Sequence, residues 1–141
     1  MSTVTAEREV RNSVVREGLA LLEAHGLTGW RVRVTDLGRH NARCNHRDKV
    51  IEIAIDRVFM GDRESLRNTL LHEVAHALTP GQGHNEVWRR KAIEIGCTGE
   101  QTRTYRATVP QEVIARNVVR AQNDVCPSCW LTRAASGECG C

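Results

Sequence analysis

The stretch Leu71-His72-Glu73-Val74-Ala75-His76-Ala77 decides the fold of this chain, because it sets two imidazoles four residues apart on one helix. The same segment carries an apolar stripe at helical spacing, which consists of Leu66, Leu70, Leu71, Val74 and Leu78. Asp62 can cap this helix after Gly61, and the pair Pro80-Gly81 ends it. The pattern predicts a helix buried on one side, with the histidines on the opposite flank and Glu73 turned in a third direction.

Two histidines at this spacing are typical of a helix-borne zinc site. A catalytic zinc takes three protein ligands and leaves the fourth position to water, so a third ligand is required. His84 is the first candidate, because the breaker-rich turn 79–83 can fold it back towards the helix. The weaker alternatives are His25, His40, His46, Glu86 and Glu94. Glu73 is left as an unligated carboxylate that suits the role of general acid and base.

The rest of the chain predicts an α+β domain with a small three-stranded antiparallel sheet. Thr5 is a candidate N-cap for a helix from Ala6 to His25, with Glu7 and Glu9 in its first turn. Alternating apolar residues from Trp30 to Val34 predict a strand. A hairpin is predicted from the segments Asn41–His46 and Val50–Ile55. Two further helices are predicted over Asn85–Ile95 and Gln111–Ala121.

The last residues form a cysteine-rich tail that cannot order itself by hydrophobic burial. Nine residues separate Cys126-Pro127-Ser128-Cys129 from Cys139-Gly140-Cys141. Four thiolates in two close pairs fit a tetrahedral structural zinc, whereas the second pair, CxC, is an unusual spacing that leaves free or redox-active cysteines open. We therefore expect a main domain over residues 1–123 and a short zinc-ribbon-like tail over 124–141.

Several single residues have a structural interpretation beside a functional one. Isolated Cys44 and Cys97 are expected to pack in the core, as are Trp30 and Trp88. Trp130 in the tail could stack on nucleobases. A donor for the oxyanion of a tetrahedral intermediate could come from Tyr105, Arg103 or Arg106.

Composition limits the class of protein. The chain has 141 residues, one domain's worth, and no apolar run long enough to cross a bilayer. Charged residues near the N-terminus do not fit a signal peptide, so we expect a cytoplasmic protein. The net charge is +3, and basic residues exceed acidic ones by four in each of the segments 31–49 and 88–120. Such clusters could hold single-stranded or distorted DNA if they share one groove.

The sequence resembles the SprT-like family of zinc metallopeptidases, which includes the Spartan DNA–protein-crosslink proteases. The resemblance lies in residues 71–77, in Gly83-His84-Asn85-Glu86-Val87-Trp88 and in Ile95-Gly96-Cys97. It implies a zincin-type fold, zinc ligands His72, His76 and His84, and the catalytic residue Glu73. The family often has Gly-Pro-Glu-Trp after its third histidine, where this chain has Asn85-Glu86-Val87-Trp88.

The resemblance thus implies a zinc-dependent metalloendopeptidase that cleaves proteins bound or crosslinked to DNA. It also agrees with one catalytic zinc and a second, structural zinc in the tail. The alternative is a DNA-binding or recruiting module with a structural or inactive zinc site. Glu73 discriminates between them, since a structural zinc site has no use for an unligated carboxylate.

Overall fold

The molecule is α+β, because its three strands follow one another between an N-terminal helix and a run of three helices. The computed structural model describes residues 3–38, 40–60, 63–98, 126 and 128–131. Within these ranges the elements are α1 (Thr3–Ala24), β1 (Arg31–Thr35), β2 (Ala42–Asn45), β3 (Val50–Ala54), α2 (Ile55–Met60), α3 (Arg63–Leu78) and α4 (Glu86–Glu94). No helix among them combines the length and the hydropathy that a membrane span requires.

The three strands form one mixed sheet in the order β1-β3-β2. β2 and β3 form the predicted antiparallel hairpin, with Cys44 opposite Ile51. β1 pairs with β3 in parallel, with Val32 opposite Ile51, so the prediction of a wholly antiparallel sheet is wrong. The reason lies in β3, whose five residues are all buried. A strand buried on both faces favours the centre of a sheet, and β1 and β2 therefore flank it instead of pairing with each other.

α1 packs against one face of the sheet, and Gly18 sets how closely it can approach. A Cβ at this position would lie 2.7 Å from Val32 Cγ2 and 3.2 Å from Leu70 Cδ2, so a larger residue would push α1 away from β1 and α3. The predicted helix is confirmed, but it begins at Thr3. Thr5 therefore lies within the helix, and its predicted role as N-cap is wrong, as is the placement of Glu7 and Glu9 in the first turn.

β3 continues directly into the short helix α2, which the sequence did not predict. Ile55 was expected to end the strand, but it begins the helix. Ile55 and Val58 are 0% and 2% exposed. Their spacing of three residues is the spacing of one helix face, which explains the switch from strand to helix at this point.

α3 is the predicted HExxH helix, and it is enclosed on more sides than the sequence indicated. It contacts β2, β3, α1 and α4. His72 was expected on the flank opposite the apolar stripe and Glu73 in a third direction, but the two residues are only 4% and 5% exposed. The prediction of a helix buried on one side is wrong, because α4 and β2 cover the flank that carries the motif.

α4 confirms the helix predicted over Asn85–Ile95. Asn85 is its N-cap and Ile95 its C-cap. The predicted helix Gln111–Ala121 and the proposed cap Asp62 lie outside the described residues.

The described part of the tail lies against the first strand and the core. Backbone hydrogen bonds Cys126 N–H to Leu131 O and Trp130 N–H to Cys126 O, both 2.9 Å, close a tight loop. Cys126 and Leu131 are each 6% exposed, and Leu131 belongs to the hydrophobic core cluster. The boundary between residues 123 and 124 stays a prediction.

Candidate metal centre

A tight turn after α3 brings the third histidine back to the first two. Thr79 accepts a backbone hydrogen bond from Gln82 N–H at 3.2 Å, with Pro80 and Gly81 between them. Gly81 has φ +78°, the left-handed value that the third position of a type II turn requires. The turn reverses the chain within a few residues, so His84 faces the C-terminal half of α3.

His72, His76 and His84 form a cluster that fits a metal ion. One ring nitrogen from each lies within 4.8 Å of the others. His84 Nε2 is 3.0 Å from His72 Nε2 and 3.1 Å from His76 Nε2. Tetrahedral zinc with Zn–N bonds of about 2.0–2.1 Å needs nitrogens about 3.3 Å apart, so only small rotations of the rings would be required. The three donors are all imidazoles, the ligand type that zinc favours.

The surroundings of His76 and His84 favour the neutral form of these side chains, which is the form that binds metal. Burial lowers the pKa of His76 to about 4, with further contributions from the neighbouring His72, His84 and His46. Burial also lowers the pKa of His84. At neutral pH the cluster therefore offers nitrogen lone pairs rather than protons.

Glu73 lies beside the cluster without belonging to it. Its Oε1 is 3.8 Å from His72 Nε2, beyond hydrogen-bond distance. Burial raises the pKa of this carboxyl group to about 8. A carboxyl group with a raised pKa next to three metal-binding nitrogens can exchange a proton near neutral pH, which is the property of a general acid and base.

The other residues considered as third ligands lie elsewhere. Glu86 pairs with Arg90 and Glu94 with Lys91, both on the surface of α4. His25 and His40 lie outside the cluster, which within the described residues contains only His72, His76 and His84.

His46 approaches the site but does not join the cluster. Its Nε2 lies 2.7 Å from the backbone oxygen of His76 and can donate a hydrogen bond to it. His46 also makes an edge contact with Trp30. The turn between β2 and β3 is thus tied to the last turn of α3, at a carbonyl group that also accepts a hydrogen bond from Thr79 N–H at 3.2 Å.

The two isolated cysteines differ in their surroundings. Cys97 is buried, and its thiol donates to Asn68 O at 3.7 Å, as expected for a core residue. Cys44 is half-buried on β2, and burial together with the nearby Glu73 raises the pKa of its thiol to about 12. A thiol that stays protonated is a poor ligand and a poor nucleophile.

Trp88 has a closer relation to the site than the sequence indicated. It is 1% exposed, in agreement with the predicted core anchor. Its ring also contacts the rings of all three clustered histidines, at centroid distances of 4.6–5.1 Å. The four-residue spacing from His84 was the available signal, but helical spacing alone does not say which residues a buried tryptophan touches.

The tail residues lie near basic side chains of β1. The guanidinium of Arg31 stacks on the Trp130 ring at 3.6 Å from its centroid, and that of Arg33 lies at 5.6 Å. Arg31 also donates to Ser128 O. Cys126 begins the closed loop and Cys129 lies within it. Cys139 and Cys141 lie outside the described residues, as do Tyr105, Arg103 and Arg106.

Comparison with known proteins is consistent with this geometry. The model of the SprT-like family matches residues 12–111. Among solved structures, the crystal structure of the metallopeptidase zymogen of Methanocaldococcus jannaschii jannalysin matches with a TM-score of 0.51 at 12% sequence identity. The match covers 75% of this chain and 90% of that chain, which shows a shared zincin-like fold. No curated protein matches the chain with significance.

Proposed function

The chain belongs to the SprT-like family of zinc metalloproteases, and from this premise we propose that it is an endopeptidase that cleaves proteins bound or crosslinked to DNA. The observation that carries the proposal is the convergence of His72, His76 and His84, with the Glu73 carboxyl group 3.8 Å from the nearest ligand nitrogen.

His72, His76 and His84 would hold one catalytic zinc through their Nε2 atoms. When bound, zinc supplies a Lewis acid that lowers the pKa of water and polarises the scissile carbonyl group. With three histidines as its protein ligands, the ion would keep a fourth position for water, as a catalytic rather than a structural site requires. Neutral imidazoles, with the pKa of His76 lowered to about 4, favour this use.

Glu73 would act as the catalytic residue that moves protons. Its Oε1 accepts a proton from the attacking water and then donates it to the nitrogen of the leaving amine. Burial strengthens the carboxylate as a base, because it raises the pKa of Glu73 towards neutrality. Glu73 must be ionised to accept this proton, and a cation held by the three histidines would favour its ionised form.

β2 is the surface on which a substrate peptide would lie. It is an edge strand that packs against α3, and no other described strand pairs with its outer edge. The backbone groups of an edge strand pair readily with an extended peptide. A peptide on β2 would pass the part of α3 that carries the HExxH motif. Cys44 of β2 lies close enough to Glu73 for the glutamate to contribute to the raised pKa of the thiol.

DNA would bind on the surface formed by Arg31, Arg33 and Trp130, which we call the Arg–Trp surface. Stacked guanidinium groups and an indole ring combine phosphate attraction with a platform for bases, and Trp130 is half-buried rather than enclosed. Arg47 and Lys49 are exposed on the adjoining turn and add to the positive charge. This arrangement supports single-stranded or distorted DNA as the partner.

A second, structural zinc in the tail is the remaining part of the proposal. The loop closed by Cys126 and Leu131 holds two cysteines near each other at the edge of the core, with Cys139 and Cys141 as the other two ligands. Replacing Cys126 and Cys129 by serine should lower the zinc content from two ions to one per chain. An unchanged zinc content in that variant would refute the second site.

The deciding experiment is cleavage of a DNA-binding protein by the zinc-loaded chain, with and without single-stranded DNA. We expect cleavage that DNA stimulates, and we expect Glu73→Gln to abolish it while the zinc content stays the same. The matched control is Glu86→Gln, which alters a glutamate on the exposed surface of α4. DNA binding without cleavage under any condition would favour the alternative, a recruiting module with an inactive zinc site.

A further inference from the structure

We propose that Trp88 is a positioning residue, which holds the rings of His72, His76 and His84 in the orientation that binds zinc. This inference rests on the proposed function, because it takes the three histidines as metal ligands. It assigns to Trp88 a role that core packing alone does not include.

The contacts of the indole ring are the first argument. Trp88 lies parallel to His76, with 22° between the ring planes and 5.1 Å between the centroids. It meets His84 edge-on at 86° and 4.7 Å, and His72 at 59° and 4.6 Å. One side chain thus limits the rotation of three imidazoles at once, because each ring would collide with the indole if it turned far from its present plane.

A hydrogen bond fixes the indole in turn. Trp88 Nε1–H donates to the backbone oxygen of His72 at 3.3 Å. This bond joins α4 to α3 at the first ligand of the motif. It also fixes which edge of the indole faces the histidines, so the ring contacts keep one geometry rather than several.

The start of α4 places Trp88 at the right point. Asn85 Oδ1 accepts a hydrogen bond from Trp88 N–H at 3.2 Å, which makes Asn85 the N-cap. His84 immediately precedes this cap, so the third histidine and the tryptophan are held by the same helix start. The spacing of four residues in this sequence therefore links a ligand to the side chain that orients it.

The experiment compares zinc affinity and the visible spectrum of the cobalt-substituted chain for wild type, Trp88→Leu and Trp88→Phe. Residues that orient metal ligands typically contribute about 10- to 100-fold to affinity, so we expect a loss in that range for Trp88→Leu, with an altered cobalt spectrum. Phenylalanine keeps an aromatic ring but lacks the N–H donor. We expect it to restore most of the affinity and to leave a deficit of about two- to tenfold.

Leu22→Ala is the matched control. Leu22 is also 1% exposed, but it lies on α1 in the core. This variant should lower the unfolding temperature as much as the Trp88 variants do, and it should leave the zinc affinity and the cobalt spectrum unchanged. The spectrum is decisive because a merely structural residue does not alter the geometry around the metal.

The outcomes separate this inference from the proposed function. If the wild type takes up zinc and both Trp88 variants match it in affinity and spectrum, Trp88 is only a core residue and the inference fails alone. If Trp88→Leu does not fold, wild-type affinity in Trp88→Phe has the same meaning. A wild-type chain that takes up no zinc overturns the proposed function and this inference together.

Discussion

Glu73 is a carboxyl group that the fold buries, and its ionisation therefore costs stability whenever no cation is near. In the metal-free chain burial raises the pKa of Glu73 from 4.5 to about 8. The folded chain then holds a proton that the unfolded chain has already released, so the free energy of unfolding falls as the pH rises towards about 8.

This argument predicts the stability of the metal-free chain between about pH 6.5 and pH 8. His76 opposes this change only slightly there, because the unfolded chain takes up a proton at this residue mainly below about pH 7. We expect wild type to lose about 1 to 2 kcal/mol over this interval and Glu73→Gln to lose none, as measured by urea unfolding. A wild-type free energy of unfolding that stays level over the interval would contradict the burial of a titrating Glu73.

His84 should be the ligand whose removal separates metal binding from folding. It is exposed on the turn after α3, whereas His72 is buried, so its truncation leaves no cavity in the core. We expect His84→Ala to lower the zinc affinity by more than about 100-fold, since a direct ligand contributes more than a residue that orients one. The unfolding temperature of the metal-free chain should stay within a few degrees of the wild-type value.

His40→Ala is the control for this prediction, because His40 is also exposed and lies outside the cluster. The measurement is a zinc titration against a chelator. Equal affinities in the two variants would remove His84 from the ligand set and return the choice to the other candidates.

Single residues were predictable where a motif fixes their spacing, and not where the answer depends on contacts across the fold. The sequence predicted the three histidines and Glu73 together, and the three rings do converge. It predicted Trp88 as a buried residue but not as a neighbour of all three rings. Periodicity reports which side of a helix is buried, whereas the partners on that side come from another element.

At the level of elements, the start of α4 is the feature that positions the third ligand. The Asn85 side chain accepts a hydrogen bond from Trp88 N–H, and His84 directly precedes this cap. Replacing an N-cap by alanine costs about 1 kcal/mol of stability. We therefore expect Asn85→Ala to lower the free energy of unfolding by about that amount and to weaken zinc binding, because both His84 and Trp88 lose their fixed start.

Asn85→Asp is the matched variant, since aspartate caps helices as well as asparagine does. Urea unfolding and a zinc titration of the two variants test the prediction. If Asn85→Ala weakens zinc binding no more than Asn85→Asp does, the cap does not contribute to the site.

Most of the elements were predictable, but α2 and the pairing of β1 were not. Alternation gave β1 correctly, and the hairpin of β2 and β3 followed from the turn between them. The pairing of strands that are distant in sequence depends on which strand is buried on both faces. In the sequence, the only sign that β3 is that strand was its near-continuous apolar run. The same run concealed the start of α2 at Ile55, because a strand and a helix face can share isoleucine and valine.

At the scale of the whole molecule, the metal site and the Arg–Trp surface are built from different elements. α1 and α3 contribute to the core beside the metal site, whereas Arg31 and Arg33 of β1 meet Trp130 of the tail on the Arg–Trp surface. The sequence placed basic residues in the segment 31–49 and an aromatic residue in the tail, but it could not show that they share a surface. Arg31, Arg33 and Trp130 come together because the tail loop that contains Trp130 packs against β1.

This separation predicts that DNA binding can be weakened without loss of the metal site. Arg33→Ala should lower the affinity for single-stranded DNA several-fold and reduce the slope of log affinity against log salt by about 0.7, the amount for one phosphate contact. Trp130→Ala should lower the affinity with little change in that slope, since stacking releases no counterions. Both variants should bind zinc at the histidine cluster as wild type does, and both should lose the stimulation of cleavage by DNA in proportion to the loss of binding.

Arg67→Ala is the control, because Arg67 is an exposed arginine that pairs with Glu17 on the helical side of the molecule. If the affinities and salt slopes of all three variants equal that of wild type, DNA does not bind at the Arg–Trp surface.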